Sequence, residues 1–153
     1  MKTCYILVGA PGTGKSTWAD TVDYDSLISS DQIITDIAHE YGLTYNEAFK
    51  NLIGFADQVF WNDITSAGIY GDTTIIVDRT HMTAKSRKRV IDILSQYAYN
   101  FVAVVFLPPE EAEWERRLAN RPGKTIPDEI IQSMLRNYQE PTLDEGFSEI
   151  QFA

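Results

Sequence analysis

The sequence predicts an α/β fold, in which a parallel sheet of four or five strands carries helices on both faces. Short apolar runs, as expected of strands buried on both faces, alternate along the chain with longer segments of helical spacing. The first apolar run also leads directly into a glycine-rich loop and then into a helix start. We expect residues 1–153 to form one domain, because a chain of 153 residues can bury a full core.

The predicted strands are the apolar runs, and the predicted helices fill the segments between them. Strands are expected over residues 4–9, 27–30, 73–77 and 101–107, with a last short strand over 149–153. Helices are expected over residues 15–21, 32–40, 83–97, 110–120 and 127–138, with a longer helix starting at 44. Asp31 is placed to cap the helix that begins at Gln32, and Thr44 forms a capping box with Glu47.

One side of the longer helix carries an apolar stripe. Its members, at helical spacing, are Phe49, Ile53, Ala56, Phe60 and Ile64. We expect this stripe to pack into the core. The alternative is that it forms the wall of a substrate cleft.

The glycine-rich loop after the first strand fits the pattern G-x-x-x-x-G-K-[ST] without a mismatch. It comprises Gly9, Ala10, Pro11, Gly12, Thr13, Gly14, Lys15, Ser16 and Thr17. A strand before the loop and a helix after it are the context in which this pattern binds phosphate, because the glycines let backbone N–H groups face an anion. Lys15 is expected to reach the β- and γ-phosphates of a nucleoside triphosphate, and Ser16 to hold Mg²⁺. The alternative is a glycine turn that only joins strand to helix.

Two carboxylates follow strands at the edge where parallel sheets bind ligands. Asp31 comes after the second strand and Asp78 after the third. Phosphoryl transfer to a hydroxyl needs a group that orients the nucleophile and accepts its proton, and we expect Asp31 to be that base. A helix cap is the alternative for Asp31. Asp78 is expected to hold Mg²⁺ through water or to bind the acceptor, with a strand-end turn residue as the alternative.

Two arginines near the end of the fifth predicted helix suggest a lid. Arg117 and Arg121 are four residues apart, so on a helix they would share a face, and the loop 121–125 follows them. We expect a helical lid that places one guanidinium over the nucleotide base and the other on phosphate oxygens, because guanidinium is planar, charged and bidentate. The alternative is a solvated helix end whose cations offset the helix dipole.

The composition limits the classes of partner. A net charge of −9 argues against a broad duplex-binding surface, although a narrow basic funnel for a strand end stays possible. Cys4, the only cysteine, is expected to be a buried packing residue. With no long apolar run and no signal-peptide pattern, we expect a cytoplasmic protein without a membrane span; subunit number is left open.

The cations of the chain are clustered in two groups. One group is Arg79, Lys85, Arg87, Lys88 and Arg89, and the other is Arg116, Arg117, Arg121 and Lys124. For each group the alternative is a solvated helix face.

These segments together resemble the bacteriophage polynucleotide kinase family over nearly the whole chain. The resemblance is carried by the loop with Trp18-Ala19, by Ile28-Ser29-Ser30-Asp31-Gln32, by Asp78-Arg79-Thr80 with Lys85-Ser86-Arg87, and by Arg117 and Arg121 with Lys124-Thr125-Ile126-Pro127. Kinases of this family transfer the γ-phosphate of ATP to a 5′-hydroxyl end of DNA or RNA. The resemblance implies ATP and Mg²⁺ as cofactors and a single-stranded 5′-hydroxyl nucleic acid end as substrate.

The same resemblance implies a role for each site residue. The lysine and serine of the loop would handle the triphosphate and the metal, and Asp31 would be the base. Arg117 would stack on adenine, and Arg121 would contact the transferring phosphate. Asp78 would lie in the acceptor site, with Arg79 beside it.

The sequence departs from the family on the acceptor side. The phage enzymes carry an arginine one helical turn after the catalytic acid, where this chain has Ile34, and Ser30 stands where another arginine is expected. Arg79, Arg87 or Arg89 could take over the contact with the acceptor phosphate.

Three function classes remain open. The leading hypothesis is an ATP-dependent polynucleotide 5′-hydroxyl kinase. The alternative is a small-molecule kinase for a sugar, nucleoside or nucleotide, which the low basicity and Ile34 favour. The third is a non-catalytic ATP-binding protein, against which the set Lys15, Ser16 and Asp31 argues.

Overall fold

The computed structural model describes residues 1–121 and 124–153, and a five-stranded parallel sheet forms its centre. The sheet has the order β2-β3-β1-β4-β5, and all neighbouring pairs are parallel. Its strands are β1 Lys2–Val8, β2 Ser26–Ser29, β3 Thr74–Asp78, β4 Tyr99–Val105 and β5 Glu149–Phe152. The predicted α/β fold is therefore confirmed, including the short fifth strand.

Six α-helices surround the sheet in the described part of the chain. They are α1 Lys15–Ala19, α2 Ser30–Tyr41, α3 Tyr45–Tyr70, α4 Ala84–Leu94, α5 Glu111–Ala119 and α6 Asp128–Asn137, with short 3₁₀ helices at Ser95–Tyr97 and Leu143–Glu145. The first α-helix is two residues shorter than predicted, and the predicted turn at Pro122-Gly123 lies outside the described residues. None of the described helices is long and apolar enough to cross a membrane.

The central strand β1 divides the core between the two faces of the sheet. Cys4, Ile6 and Val8 point to one side, where they pack with residues of α3 and α4, while Leu7 packs with α1 on the other side. All four side chains are fully buried. A strand covered on both faces explains why β1 is apolar at nearly every position, and it fixes the edge from which the glycine-rich loop leaves the sheet.

The start of α2 differs from the prediction. The N-cap is Ser29, whose hydroxyl accepts a hydrogen bond from the Gln32 amide at 3.2 Å, and the helix begins at Ser30. Asp31 therefore lies inside the first turn, so the predicted capping role of Asp31 is wrong. Its carboxylate is free to point away from the helix backbone.

Helix α3 is capped as predicted but does not bury its whole apolar stripe. Thr44 and Glu47 form the capping box, with N–H to side-chain oxygen distances of 2.9 and 3.1 Å. The helix is kinked at Leu52, where the backbone leaves helical geometry. Beyond the kink the stripe is buried, but before it Phe49 is 50% exposed and Ile53, at the kink, is 39% exposed. The expectation that the entire stripe is core is wrong for these two residues.

Candidate functional site

A cleft of about 1540 Å³ lies beyond the carboxyl ends of β1, β2 and β3. Its lining brings together almost every residue that the sequence singled out: Pro11, Gly12, Thr13, Gly14, Lys15, Ser16, Thr17, Asp31, Asp78, Arg79, Arg117 and Arg121. Gly9 and Ala10 lie beneath this lining. Ala10 is buried, and a methyl group on Gly9 would come within 2.8 Å of the Phe106 carbonyl oxygen. These two residues therefore determine how the loop packs and do not themselves line the cleft.

The glycine-rich loop wraps back on itself at the base of the cleft. Gly12 and Gly14 have φ of +75° and +101°, a backbone region that other residues rarely adopt. The Thr13 hydroxyl donates to the Ala10 carbonyl at 2.7 Å, and the Lys15 ammonium donates to the Gly9 carbonyl at 2.7 Å. The side chain of Lys15 therefore folds back over the loop, at the position where a phosphate group would be cradled.

Lys15 and Asp78 face each other at the floor of the cleft, with the ammonium nitrogen 4.0 Å from a carboxylate oxygen. Both side chains are only 11% exposed. Burial lowers the pKa of Lys15, and the charge of Asp78 opposes that shift. Burial also raises the pKa of Asp78, and the charge of Lys15 opposes it. The pair thus holds a buried positive charge beside a carboxylate at the end of β3.

Asp31 projects from α2 into the same cleft, where three side chains contact it. The Tyr45 hydroxyl donates to one carboxylate oxygen at 2.6 Å, and the Lys124 ammonium donates to the other at 2.6 Å. A guanidinium nitrogen of Arg121 lies 3.5 Å from the first oxygen. Burial alone would raise the pKa of Asp31, but the hydrogen bonds from Lys124 and Tyr45 and the two nearby cations outweigh it and lower the pKa. Asp31 is therefore an ionised carboxylate that faces the loop.

The structure adds Tyr45 to the site, a residue that the sequence did not single out. It is the first residue of α3, and its neighbours in the sequence give no sign that its hydroxyl reaches α2. The sequence indicates Lys124 only as a member of the second cation group and of the segment after the paired arginines. Its ammonium lies 4.9 Å from the centre of the Tyr45 ring, so both new residues belong to one cluster around Asp31.

The two arginines of the expected lid are not on one helix face, which corrects the prediction. Helix α5 ends at Ala119, so Arg117 lies in its last turn and Arg121 lies beyond it. Arg117 is held by Glu113 at 2.9 Å and approaches the Gly12 carbonyl at 3.5 Å. Arg121 reaches across to Asp31 instead. Both still line the cleft, but on different parts of it.

The helices α5 and α6 pack directly onto the glycine-rich loop. The Trp114 indole donates to the Pro11 carbonyl at 2.8 Å, and Ala10 shares a small apolar cluster with Trp114 and Ile131. Because residues of the loop, α5 and α6 share this cluster, a movement of α5 or α6 would change the packing of the phosphate loop.

The arginines after β3 have three different surroundings. Arg79 lines the cleft but is already engaged by Asp57 and by the Ser30 hydroxyl. Arg87 is fully buried and forms two hydrogen bonds with Glu145, at 2.8 and 3.1 Å. The idea that Arg87 contacts an acceptor phosphate, or that it lies on a solvated face, is therefore wrong, because its charge is neutralised inside the protein. Arg89 stacks over the Trp61 ring at 4.0 Å.

The donor groups of the cleft fit a nucleotide with its phosphates. One guanidinium nitrogen of Arg121 is buried and has no hydrogen-bond partner among residues 1–121 and 124–153. An unsatisfied, charged N–H beside the loop lysine matches the oxygen of a phosphate group. Ser16 is exposed, and Ser16 and Asp78 both line the cleft, so a hydroxyl and a carboxylate are both present for Mg²⁺.

Comparisons with known proteins agree with this architecture. A family model for AAA domains, AAA_33, matches residues 5–141. The bifunctional polynucleotide phosphatase/kinase of Schizosaccharomyces pombe is 24% identical over 149 residues, which are 95% of this chain and 32% of that protein. The chain thus spans about a third of the length of this relative.

Three solved structures have the same fold. A candidate kinase from Chloroflexus aurantiacus has a TM-score of 0.72 at 16% identity, over 99% of this chain and 87% of its own. Kti12 from Chaetomium thermophilum, in complex with ADP-AlF3, has a TM-score of 0.63 at 14% identity, over 98% and 88%. Shikimate kinase from Acinetobacter baumannii, in complex with shikimate, has a TM-score of 0.56 at 22% identity, over 98% and 83%. The family model covers most of the sequence and the sheet matches these structures, so the chain belongs to the AAA_33 family of AAA domains and has the fold of a P-loop kinase.

Proposed function

We propose that this P-loop kinase phosphorylates the 5′-hydroxyl end of a polynucleotide, with ATP as the phosphate donor. The proposal depends mainly on one observation: Asp31, an ionised carboxylate on α2, lines the same cleft as Lys15 of the phosphate loop. A base and a phosphate cradle on opposite sides of one cleft are the minimal arrangement for transfer to a hydroxyl.

The residues of the cleft divide the reaction between them. Asp31 accepts the proton of the acceptor hydroxyl while the new bond from that oxygen to the γ-phosphorus forms. The bond between the γ-phosphorus and the bridging oxygen of ADP breaks, and ADP leaves. Lys15 and Arg121 offset the negative charge that spreads over the transferring group.

The remaining groups position the substrates. Arg117 stacks on the adenine, held in place by Glu113. Ser16 would hold Mg²⁺ when it is bound, with Asp78 in the same cleft lining, and the ion would offset charge on the phosphate oxygens. Asp78 and Arg79 both line the cleft, and we assign them to the binding of the acceptor.

The contacts of Asp31 suggest what substrate binding changes. In the structure its two oxygens are occupied by Tyr45 and Lys124, with Arg121 nearby. An acceptor hydroxyl can donate to Asp31 only where one of these donors gives way. The two cations are the groups that a triphosphate would attract, so nucleotide binding would draw them from the base toward the phosphates.

The polynucleotide acceptor is supported by the name of the Schizosaccharomyces pombe relative, although this chain covers only 32% of that protein. The second candidate is a small-molecule kinase, and a specific observation favours it. On the acceptor side Ile34 is buried, and the charge of Arg79 is neutralised by Asp57. Within the described residues, the wall with Ile34 and Arg79 therefore offers little unpaired positive charge to a polyanionic acceptor.

One labelling experiment separates the candidates. The protein is incubated with Mg²⁺ and γ-labelled ATP and a panel of acceptors: 5′-hydroxyl DNA and RNA oligonucleotides, nucleosides, 3′-nucleotides, sugars and shikimate. Label on oligonucleotides supports the proposal, with 5′-phosphorylated oligonucleotides as the matched control that accepts none. Label on small molecules alone supports the second candidate. Bound ATP without transfer to any acceptor would leave only a nucleotide-binding protein.

A further inference from the structure

The wall of the cleft formed by Asp31 and the start of α3, here called the acceptor wall, carries a large exposed aromatic side chain. Phe49 on α3 is 50% exposed and lines the cleft together with Tyr45 and Ile53. Exposing this much apolar surface in a concave site forgoes the stabilisation that burial would give, unless a ligand covers it. The chain does not bury Phe49, although Phe60 and Ile64, about three and four turns further along the same stripe, are fully buried.

The position of this aromatic surface is fixed relative to the base. The Tyr45 hydroxyl is bonded to Asp31, so the Tyr45 ring cannot turn away from the acceptor hydroxyl site. The Phe49 ring lies beside it, with ring centroids 6.3 Å apart and planes inclined by 25°. Each step of four residues along a helix advances about 6 Å. Counted from Tyr45, which contacts Asp31, Phe49 lies one step along α3 and Ile53 lies two.

The charges around this wall argue against recognition through the acceptor's phosphates. Arg79 is held by Asp57 and Ser30 and lies against the Phe60 and Trp61 rings, 4.0 and 5.4 Å from their centres. Asp57 itself lines the cleft, so its pair with Arg79 contributes no net positive charge to this wall. An acceptor bound at this wall is therefore held by contacts with its uncharged parts, and an aromatic side chain provides such a contact to a nucleobase.

We propose that Phe49 is the stacking surface for the base of the acceptor's terminal nucleotide, and that stacking replaces the phosphate contact in selecting the acceptor. This inference rests on the proposed function, since it names how that same site chooses its substrate. The sugar of the terminal nucleotide lies against Tyr45 with its 5′-hydroxyl at Asp31, and the base lies over Phe49.

Two acceptors that differ only in the terminal base test this assignment. One is a 5′-hydroxyl oligonucleotide with adenine at the first position, and the other has an abasic residue there. The wild-type protein is expected to show a KM about 10- to 100-fold lower for the first, because a base–aromatic stack contributes at that level. Phe49→Ala should raise the KM for the adenine end by the same factor and leave the abasic end unchanged. Phe49→Trp should restore the preference.

The matched control is Phe55→Ala. Phe55 is on the same helix and is 47% exposed, but it is outside the cleft lining. It should keep the wild-type KM for both acceptors, and the KM for ATP should stay the same in all three variants. Equal loss of activity toward both ends in a Phe49→Ala variant that unfolds at the wild-type temperature would overturn a stacking role.

The outcomes separate this inference from the proposed function. Equal KM values for the two ends in the wild type would overturn the stacking and leave a polynucleotide kinase. Transfer to free nucleosides alone would overturn the polynucleotide acceptor and keep the stacking. Transfer only to sugars or shikimate would overturn both. A binding measurement tests the inference even if no phosphate transfer is detected. The fluorescence of an oligonucleotide with 2-aminopurine at its 5′ end should be quenched by the wild type and not by Phe49→Ala. Absence of quenching by the wild type would overturn the inference.

Discussion

The ammonium group of Lys124 lies 2.6 Å from a carboxylate oxygen of Asp31. Lys124 follows α5, which packs on the phosphate loop, whereas Asp31 lies in the first turn of α2 on the opposite wall, 93 residues earlier in the chain. The contact therefore joins the two sides of the cleft. Asp31 and Lys15 of the phosphate loop line the same cleft, and the charge of Asp31 acts to raise the pKa of Lys15. A base for phosphoryl transfer needs such a position.

Removing the Tyr45 hydroxyl should move the acid limb of the pH–rate profile. Hydrogen bonds to the carboxylate favour its charged form, so Tyr45→Phe, which keeps the ring, raises the pKa of Asp31. Activity that requires the ionised base is then lost at a higher pH as the solution is acidified. The measurement is log kcat against pH for the wild type and Tyr45→Phe, with Tyr41→Phe, an exposed tyrosine outside the cleft lining, as control. An unmoved acid limb would contradict the role of Asp31 as base.

Lys15→Met should lower kcat/KM by about 10²- to 10³-fold, because one positioned charge stabilises the transition state by a few kcal/mol. Lys15 is nearly buried against the loop, so the methionine side chain fits the same space without its charge. Steady-state kinetics with ATP and the acceptor identified by labelling provides the measurement. Lys85→Met, at an exposed position on α4, is the control and should match the wild type. Retained activity in Lys15→Met would refute the assignment of the phosphate loop.

The buried ion pair of Arg87 and Glu145 should be important for stability and not for acceptor binding. Glu145→Gln leaves the Arg87 charge unpaired in the core and should lower the free energy of unfolding by about 3 kcal/mol. The double variant Arg87→Met with Glu145→Gln should recover part of that loss. Lys88→Met removes an exposed pair with Asp92 on the same helix and should change stability by less than about 0.5 kcal/mol. Denaturant unfolding decides, and equal effects of Glu145→Gln and Lys88→Met would show that Arg87 is solvated.

Two Gly→Ala substitutions should change the free energy of unfolding in opposite directions. A methyl group on Gly9 would lie 2.8 Å from the Phe106 carbonyl oxygen and 2.9 Å from the Thr13 hydroxyl. Gly9→Ala should therefore destabilise the protein by about 1–3 kcal/mol and weaken ATP binding. Gly54, inside α3, has open space around it, so Gly54→Ala should add up to about 1 kcal/mol of stability. Thermal unfolding with and without ATP checks both, and a neutral Gly9→Ala would contradict the packing of the loop.

The sequence was sufficient to predict the strands, the phosphate loop and the capping box of α3, because each depends on residues close together in the chain. The pattern around Lys15 is local, and so is the capping box of Thr44 and Glu47. The apolar character of β1 reflects burial on both faces, which any strand in the centre of a parallel sheet shares. These features required no knowledge of which elements meet in space.

The contacts that complete the candidate site depend on long-range packing, and periodicity does not encode it. Tyr45 reaches Asp31 only because α2 and α3 pack against each other. The stripe on α3 indicates one helix face, but not that Phe49 meets a cleft while Phe60 meets the sheet. Arg87 looks like its solvated neighbours in the sequence, and only the position of Glu145 shows that it is buried. Charge and spacing alone do not distinguish these environments.

The measurement that tests the central claim most directly compares Asp31→Asn with the wild type in two assays. Phosphate transfer from ATP to a 5′-hydroxyl oligonucleotide gives kcat, and equilibrium binding of ATP gives Kd. Asp36→Asn, an exposed change on the same helix, is the matched control and should leave both unchanged. We predict that Asp31→Asn lowers kcat by about 10²- to 10⁴-fold and leaves the Kd for ATP nearly unchanged. A kcat close to the wild-type value, or an equal loss of kcat and ATP affinity, would contradict the assignment of Asp31 as the base.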